Sequence, residues 1–286
     1  MAFSTGVRVF ANRLLGLGNL RLETLTAERA EGDRLNKLVN RGHFEKPIFP
    51  LLRQFSECDP WPILEQVKRD EARFAALTGG SDANAFKLDN AYYTTPDAEV
   101  LYAVVRLYRP QRVVEVGSGH STQLFKLAIR DAGLATTLVS IDPNPRRNVT
   151  EWADEIIQSC VEDLTDFTCI ETLVTNDILF IDSSHSVEIG NDVLCLLLDL
   201  LPRLCPGVLV HLHDIFLPYE YPSEWMVENR WSWNEQYLLQ AVLQGSKDFE
   251  VLWPGHYLQR TTNSFGRHFV QLERQRASAV WLRRLN

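Results

Sequence analysis

From Pro96 onward the chain alternates between two hydrophobic rhythms, and this limits the folds open to it more than any other feature. "PDAEVLYAVVRLY" repeats apolar residues every three or four positions and stops at Pro110, the pattern of one helix face. There follow "RVVEVG" as strand, "STQLFKLAIRDAG" as helix, "TTLVSID" as strand, "RNVTEWADEIIQ" as helix, "DILFID" as strand, "VEIGNDVLCLLLDLLPRL" as helix and "GVLVHLHD" as strand. Strands alternating with helices of this length need right-handed βαβ crossovers, which bury a parallel sheet between two helical layers. Residues 86–275 are therefore expected to form a Rossmann-like three-layer α/β/α domain. Residues 1–85 read differently: "LRLETLTAERAEGDRLNKLVNRG" and "PWPILEQVKRDEARFAAL" are rich in helix formers, and the Gly79-Gly80-Ser81-Asp82 cluster marks a break after them. This helical N-terminal segment is expected to act as a cap or in oligomerisation, and residues 276–286 are expected to be a C-terminal tail.

Composition narrows the function. The 286 residues are 45% hydrophobic, enough for a substantial core, and carry a formal net charge of -8, which gives no general attraction to nucleic acid. The five cysteines are odd in number, form no C-x-x-C pair and sit mostly in apolar runs, as buried thiols do in a reducing, cytoplasmic setting. The longest apolar region, "VLCLLLDLLPRLCPGVLV", is broken by Asp199, Pro202 and Arg203, so no integral membrane association is expected. The start, "MAFSTGVRVFANRLLGLGNL", lacks a continuous apolar core with a cleavage site and reads as a docking amphipathic helix.

In a sheet of this kind, ligands bind beyond the carboxyl ends of the strands. The residues at those ends are Gly117-Ser118-Gly119, Asp142, Asp182 and His213-Asp214. Two glycines after the first strand permit a tight turn and a close backbone approach, and the helix that follows presents free N–H groups. Asp142 lies 23 residues past Gly119, where a carboxylate accepts ribose hydroxyls. A dinucleotide fingerprint wants glycine or alanine where Thr122 stands, and Glu115 opposes a pyrophosphate while favouring a cationic ligand.

That combination resembles the first motif of class I S-adenosylmethionine-dependent methyltransferases. The stretches "YYTTPDAEVLYAVVRLYRPQRVVEVGSGHST", "LVSIDPNPR", "DILFIDSSHSVEIGNDV" and "LPRLCPGVLVHLHDIFLPYEYP" extend the resemblance to the small-molecule O-methyltransferase branch found among sugar and natural-product tailoring enzymes. It implies a mostly parallel seven-stranded sheet, S-adenosylmethionine as cofactor, and cofactor contacts from Glu115, Gly117, Ser118, Gly119, Asp142 and Asp182. It further implies that Tyr93, Thr94 and Asp97 lie near the methionine end, and Glu162 and Asp163 beside the adenine.

Methyl transfer to oxygen requires an aligned acceptor, loss of its proton and exclusion of water. Asp182 and Asp214 are expected to share Mg2+ or another divalent cation, although Ile215 stands where metal-dependent relatives carry asparagine. His185 is expected to be the general base, with His213 second, because an imidazole near neutrality suits that task. His211 is read as a core histidine. The loop "FLPYEYPSEWMVENRWSWNEQYLL" offers Glu220, Tyr221, Trp231 and Glu235 as contacts to a small-molecule acceptor. An NAD-linked oxidoreductase and a non-catalytic nucleotide-binding scaffold on the same fold are the alternatives, and homo-oligomerisation stays open.

Overall fold

The computed structural model describes Val9, Asn12, Arg13 and residues 25–78, 86–145, 149–271 and 276–286. The expected break at Gly79–Asp82 lies outside the described residues, as does the expected start helix apart from Val9, Asn12 and Arg13. The chain divides into two compact units, residues 1–46 with 222–231 and residues 47–221 with 232–286. In the smaller unit, helix α1 (Thr26–Asn40) buries none of its residues. There Arg230 pairs with Glu28, and the Trp225 and Trp231 rings lie 5.1 Å apart.

In the larger unit, α2 (Trp61–Arg69) and α3 (Glu71–Leu77) turn Ile63, Val67, Phe74 and Leu77 into the same core as the apolar residues of α4 (Asp97–Tyr108). The boundary expected at residue 85 therefore moves to residue 46: these helices carry apolar faces that are buried only in the core of the larger unit.

That unit is built on a seven-stranded sheet. In chain order its further elements are β1 (Arg112–Val116), α5 (His120–Asp131), β2 (Thr137–Ile141), β3 (Glu155–Ile157), β4 (Ile178–Ile181), β5 (Leu209–Leu212), α6 (Glu235–Gly245), β6 (Phe249–Pro254), α7 (Gly255–Thr261) and β7 (Val280–Arg284). The strand order is β3-β2-β1-β4-β5-β7-β6. The first five strands run parallel, and β7 enters antiparallel between β5 and β6. Strand side chains alternate between the faces: Val113, Ile178, Phe180 and Leu209 join one core, Val114, Leu179, Ile181 and Val210 the other. Both faces are covered, which is why these strands read as near-continuous apolar runs. The order reverses between β1 and β4, each of which continues to a different side of the sheet.

Three expectations change. "RNVTEWADEIIQ" is no helix where it is described: Val149–Glu151 is a single 3-10 turn, and Glu155–Ile157 is the edge strand, with Ile156 opposite Ser140 of β2. The short β-branched run finds a partner there, and pairing overrides the helical periodicity. The C-terminal residues are not a tail, because β7 is an interior strand that sends Trp281 into one core and Val280 and Leu282 into the other. The helix expected from Val187 starts only at Asp192, where the Asn191 side chain caps it, and continues as π-helix over Cys195–Leu200.

Candidate active site

The turn leaving β1 is set by one glycine. Gly117 has φ +85°, and a Cβ placed on it would stand 1.9 Å from the carbonyl oxygen of Asp182. No other residue permits both that conformation and that approach. Gly119, with φ 171°, is ordinary extended backbone. It begins α5, and its N–H donates to Thr122 Oγ1 at 2.9 Å. Thr122 in turn donates to Glu115, as do Ser121 Oγ at 2.5 Å and Ser140 Oγ at 2.9 Å.

This arrangement corrects the expected role of Glu115. Its side chain is 0% exposed, and its two oxygens are occupied by three hydroxyls from β2 and the first turn of α5. Burial pushes its carboxyl up to about 7, against the opposing pull of those three hydrogen bonds. Glu115 therefore anchors the turn from inside. Thr122 has a matching explanation: its hydroxyl links the helix start to the strand.

Asp142, just past β2, joins the two strand ends. Its Oδ2 accepts the Ser118 N–H at 2.9 Å and the Ser118 hydroxyl at 2.5 Å, and its Oδ1 accepts the Asn144 N–H at 2.7 Å. A carboxylate has about four acceptor positions, so one remains for a ligand. Glu162 and Asp163 lie on the 3-10 turn Val161–Asp163. Glu162 Oε2 is buried with no hydrogen-bond partner among the described residues, an orphan that a ligand donor would satisfy.

Tyr93 is a core residue, contrary to the expected cofactor contact. It is 2% exposed, its hydroxyl lies 3.3 Å from His211 Nε2, and burial first, then Asp97 and Asp182, holds it well above the usual tyrosine range. The neighbouring Tyr92, which the sequence reading passed over, is exposed and stacks on His120 at 5.8 Å beside the glycine turn. His211 is wholly buried, stacked on Phe180 at 4.0 Å, and pushed well below the usual imidazole range by burial and then by His213.

The ends of β4 and β5 bring together Asp182, His185, His213 and Asp214, and the start of α6 adds Glu235. His185 Nε2 lies 3.3 Å from Asp182 Oδ1 and 3.8 Å from Asp214 Oδ2, while His185 Nδ1 lies 3.0 Å from Glu235 Oε2. On the other side, His213 Nδ1 lies 3.6 Å from Asp182 Oδ1 and 3.5 Å from Asp214 Oδ2, and its Nε2 lies 3.4 Å from Ser278 Oγ and 3.7 Å from Asp97 Oδ2. His185 and Asp214 have positive φ, 59° and 56°, conformations that persist in non-glycine residues only where the surroundings impose them.

The electrostatics of this cluster bear on the expected general base. Burial alone would lower the His185 imidazole, but Asp182, Glu235 and Asp214 outweigh it and raise it to about 10. His213 is likewise held well above the usual range by Asp214 and Asp182, against burial. Asp182 is held well below the carboxylate range: burial opposes this, and the His213 and His185 imidazoles override it. Both imidazoles are thus drawn toward their protonated form by the carboxylates around them. The donor atoms of Asp182, His185 and Asp214 all lie within 4.8 Å of one another, a set of two carboxylates and one imidazole that suits a divalent cation. Ile215, in the position where asparagine was looked for, is buried in the core and donates its N–H to Ser278 O at 2.8 Å.

The expected acceptor contacts separate. Glu235 is 1% exposed and holds His185, a role that nothing in the sequence signals across 50 positions. Tyr221 is 0% exposed, and its Oη accepts the Gln236 N–H at 3.1 Å, so it packs the loop onto the core. Glu220 is taken by the Tyr237 hydroxyl at 2.6 Å and by its neighbours' amides. Trp231 belongs to the smaller unit.

Part of the chain matches a known family. Residues 114–215, which run from β1 to just past β5, match the family model described as a methyltransferase domain. No curated protein sequence is detectably similar to the chain. Among solved structures, an S-adenosylhomocysteine-bound methyltransferase of Podospora anserina, PaMTH1, is 13% identical with a TM-score of 0.39, over 93% of this chain and 100% of that one. An O-methyltransferase from Bacillus cereus, in complex with S-adenosylhomocysteine, is 12% identical with a TM-score of 0.40, over 78% and 91%. Likeness this distant carries no argument about ligand or substrate.

Proposed function

We propose that this chain is a class I S-adenosylmethionine-dependent methyltransferase that transfers the methyl group to a hydroxyl of a small molecule, a sugar or a natural product, with help from a divalent cation; the match of residues 114–215 to a methyltransferase domain supports the reaction class. One observation carries the reading: the glycine turn and the acid–imidazole cluster meet, with the Gly117 backbone in contact with the Asp182 carbonyl. A donor seated on the turn has its reactive end beside two carboxylates that can hold an acceptor.

Within this reading Asp142 receives a ribose hydroxyl at its remaining acceptor position, and Glu162 Oε2 receives a donor of the base. The reaction is an in-line displacement: the acceptor oxygen attacks the methyl carbon, the sulfonium leaves as a neutral thioether, and the acceptor's hydroxyl proton is released to water. Asp182 and Asp214 orient the acceptor, and His213 keeps a proton at Nδ1 between them. A cation bound by Asp182 and Asp214 would lower the acceptor hydroxyl's pKa.

Titration calorimetry of the metal-stripped protein with S-adenosylmethionine and S-adenosylhomocysteine, with NADH as control, tests the cofactor. Micromolar binding of the sulfur nucleotides alone is expected. A panel of hydroxylated acceptors then tests the rest, with homocysteine-nucleoside release as the readout. Turnover confined to amine acceptors would remove the hydroxyl assignment.

A further inference from the structure

We propose that His185 is the third ligand of a cation site completed by Asp182 and Asp214, that Glu235 positions its ring, and that the site selects a first-row transition ion such as Mn2+ or Co2+ over Mg2+. The proposal rests on the reading of Asp182 and Asp214 as cation ligands and changes the site from an all-oxygen one to a mixed one.

Three observations carry it. The first is spacing. Ligands about 2.1 Å from a common ion stand roughly 3–3.5 Å apart; His185 Nε2 lies 3.3 Å from Asp182 Oδ1, within that range, and 3.8 Å from Asp214 Oδ2, a few tenths of an ångström beyond it, and all three donor atoms fall within 4.8 Å of one another. The second is orientation. Glu235, 1% exposed, lies 3.0 Å from His185 Nδ1 and so fixes Nε2 toward the two aspartates, the arrangement in which a carboxylate directs a metal-binding imidazole.

The third is charge. Asp97, Asp182, Asp214 and Glu235 have ion pairs only with His185 and His213 among the described residues. Four carboxylates against two imidazoles leave a formal charge of -2 even with both imidazoles charged, in a cluster whose members are 1% to 31% exposed. Binding an ion through Nε2 requires His185 to give up its proton, which takes the count to -3, and a dication then brings it to -1. Ion choice follows from the donors: Mg2+ takes oxygen ligands and sheds water reluctantly, whereas an imidazole nitrogen favours transition ions.

The test uses the full chain, stripped with chelator and titrated with Mn2+ under electron paramagnetic resonance. One Mn2+ per chain is expected, with a pulsed-resonance 14N coupling from imidazole, and at least tenfold weaker binding of Mg2+ in competition. His185→Gln should lower Mn2+ affinity tenfold or more and abolish the nitrogen coupling. Glu235→Gln should lower affinity about 10- to 100-fold and keep the coupling. The wild-type nitrogen signal needs no variant, so a misfolded substitution leaves the idea testable. Mn2+ bound without nitrogen coupling, or displaced by equal Mg2+, would overturn it, as would no Mn2+ binding by protein that binds S-adenosylhomocysteine. Failure of that nucleotide to bind would instead count against the methyltransferase reading.

Discussion

At the scale of single residues, the site depends on contacts that tolerate almost no substitution. Gly117→Ala would bring a methyl group within 1.9 Å of the Asp182 carbonyl at a φ of +85°, so either the turn or the end of β4 must move. The expected cost is about 3 kcal/mol or more, measured as a lowered urea midpoint, together with loss of cofactor binding. A variant that unfolds like the wild type would contradict the close approach. Asp142→Ala removes the acceptor of the Ser118 N–H and hydroxyl and should weaken S-adenosylhomocysteine binding at least tenfold by calorimetry; unchanged affinity would end the ribose assignment. Gly117 was legible because glycine reports a backbone requirement directly. The partners of Glu115 and His185, three hydroxyls for one and three carboxylates for the other, were not legible, because spacing along the chain does not display them.

At the scale of elements, legibility followed burial. Strands β1, β2, β4 and β5 are interior strands of uniform apolar character and were read to within a residue or two, because both of their faces are covered. The strands β3, β6 and β7 were not read: β3 has only three residues, and the antiparallel pairing of β7 with β5 and β6 is not announced by the strand–helix alternation that marks the parallel strands. Truncation after Ala279 should accordingly be far from neutral. It removes β7, leaves β5 and β6 without the strand that lies between them and deletes the fully buried Trp281, so insoluble or molten protein is expected by near-ultraviolet circular dichroism. Helix α4 supplies a pH test. Glu99 accepts the Val270 N–H at 2.9 Å and the Thr95 hydroxyl, and burial raises its carboxyl from 4.5 to about 7. Between those pH values the folded chain holds a proton that the unfolded chain has released. This contribution to stability is therefore present below about 4.5, declines as pH rises toward 7, and is level above. The stability of wild type minus that of Glu99→Gln should fall by up to about 3 kcal/mol from pH 5 to pH 8; a difference independent of pH would refute the assignment.

At the scale of the molecule, charge and linkage bear on the same question. A chain of formal charge -8, whose cluster at the ends of β4 and β5 is itself acidic, favours a cationic sulfonium over the phosphates of a dinucleotide. Any ligand that binds only the folded state stabilises it by an amount set by its concentration relative to Kd, about 2.7 kcal/mol at a hundredfold excess over Kd. For a domain of this size each kcal/mol moves the melting point by roughly 2–4 °C, so S-adenosylhomocysteine should raise Tm by about 5–10 °C. The turn, the acids and both histidines all belong to the unit of residues 47–221 and 232–286. If the two units melt separately, the shift should therefore fall on the transition of that unit alone. NADH at equal concentration should leave both transitions in place. A shift with NADH and none with S-adenosylhomocysteine would assign the turn to a hydride carrier, against the threonine at position 122 and the acidic strand ends.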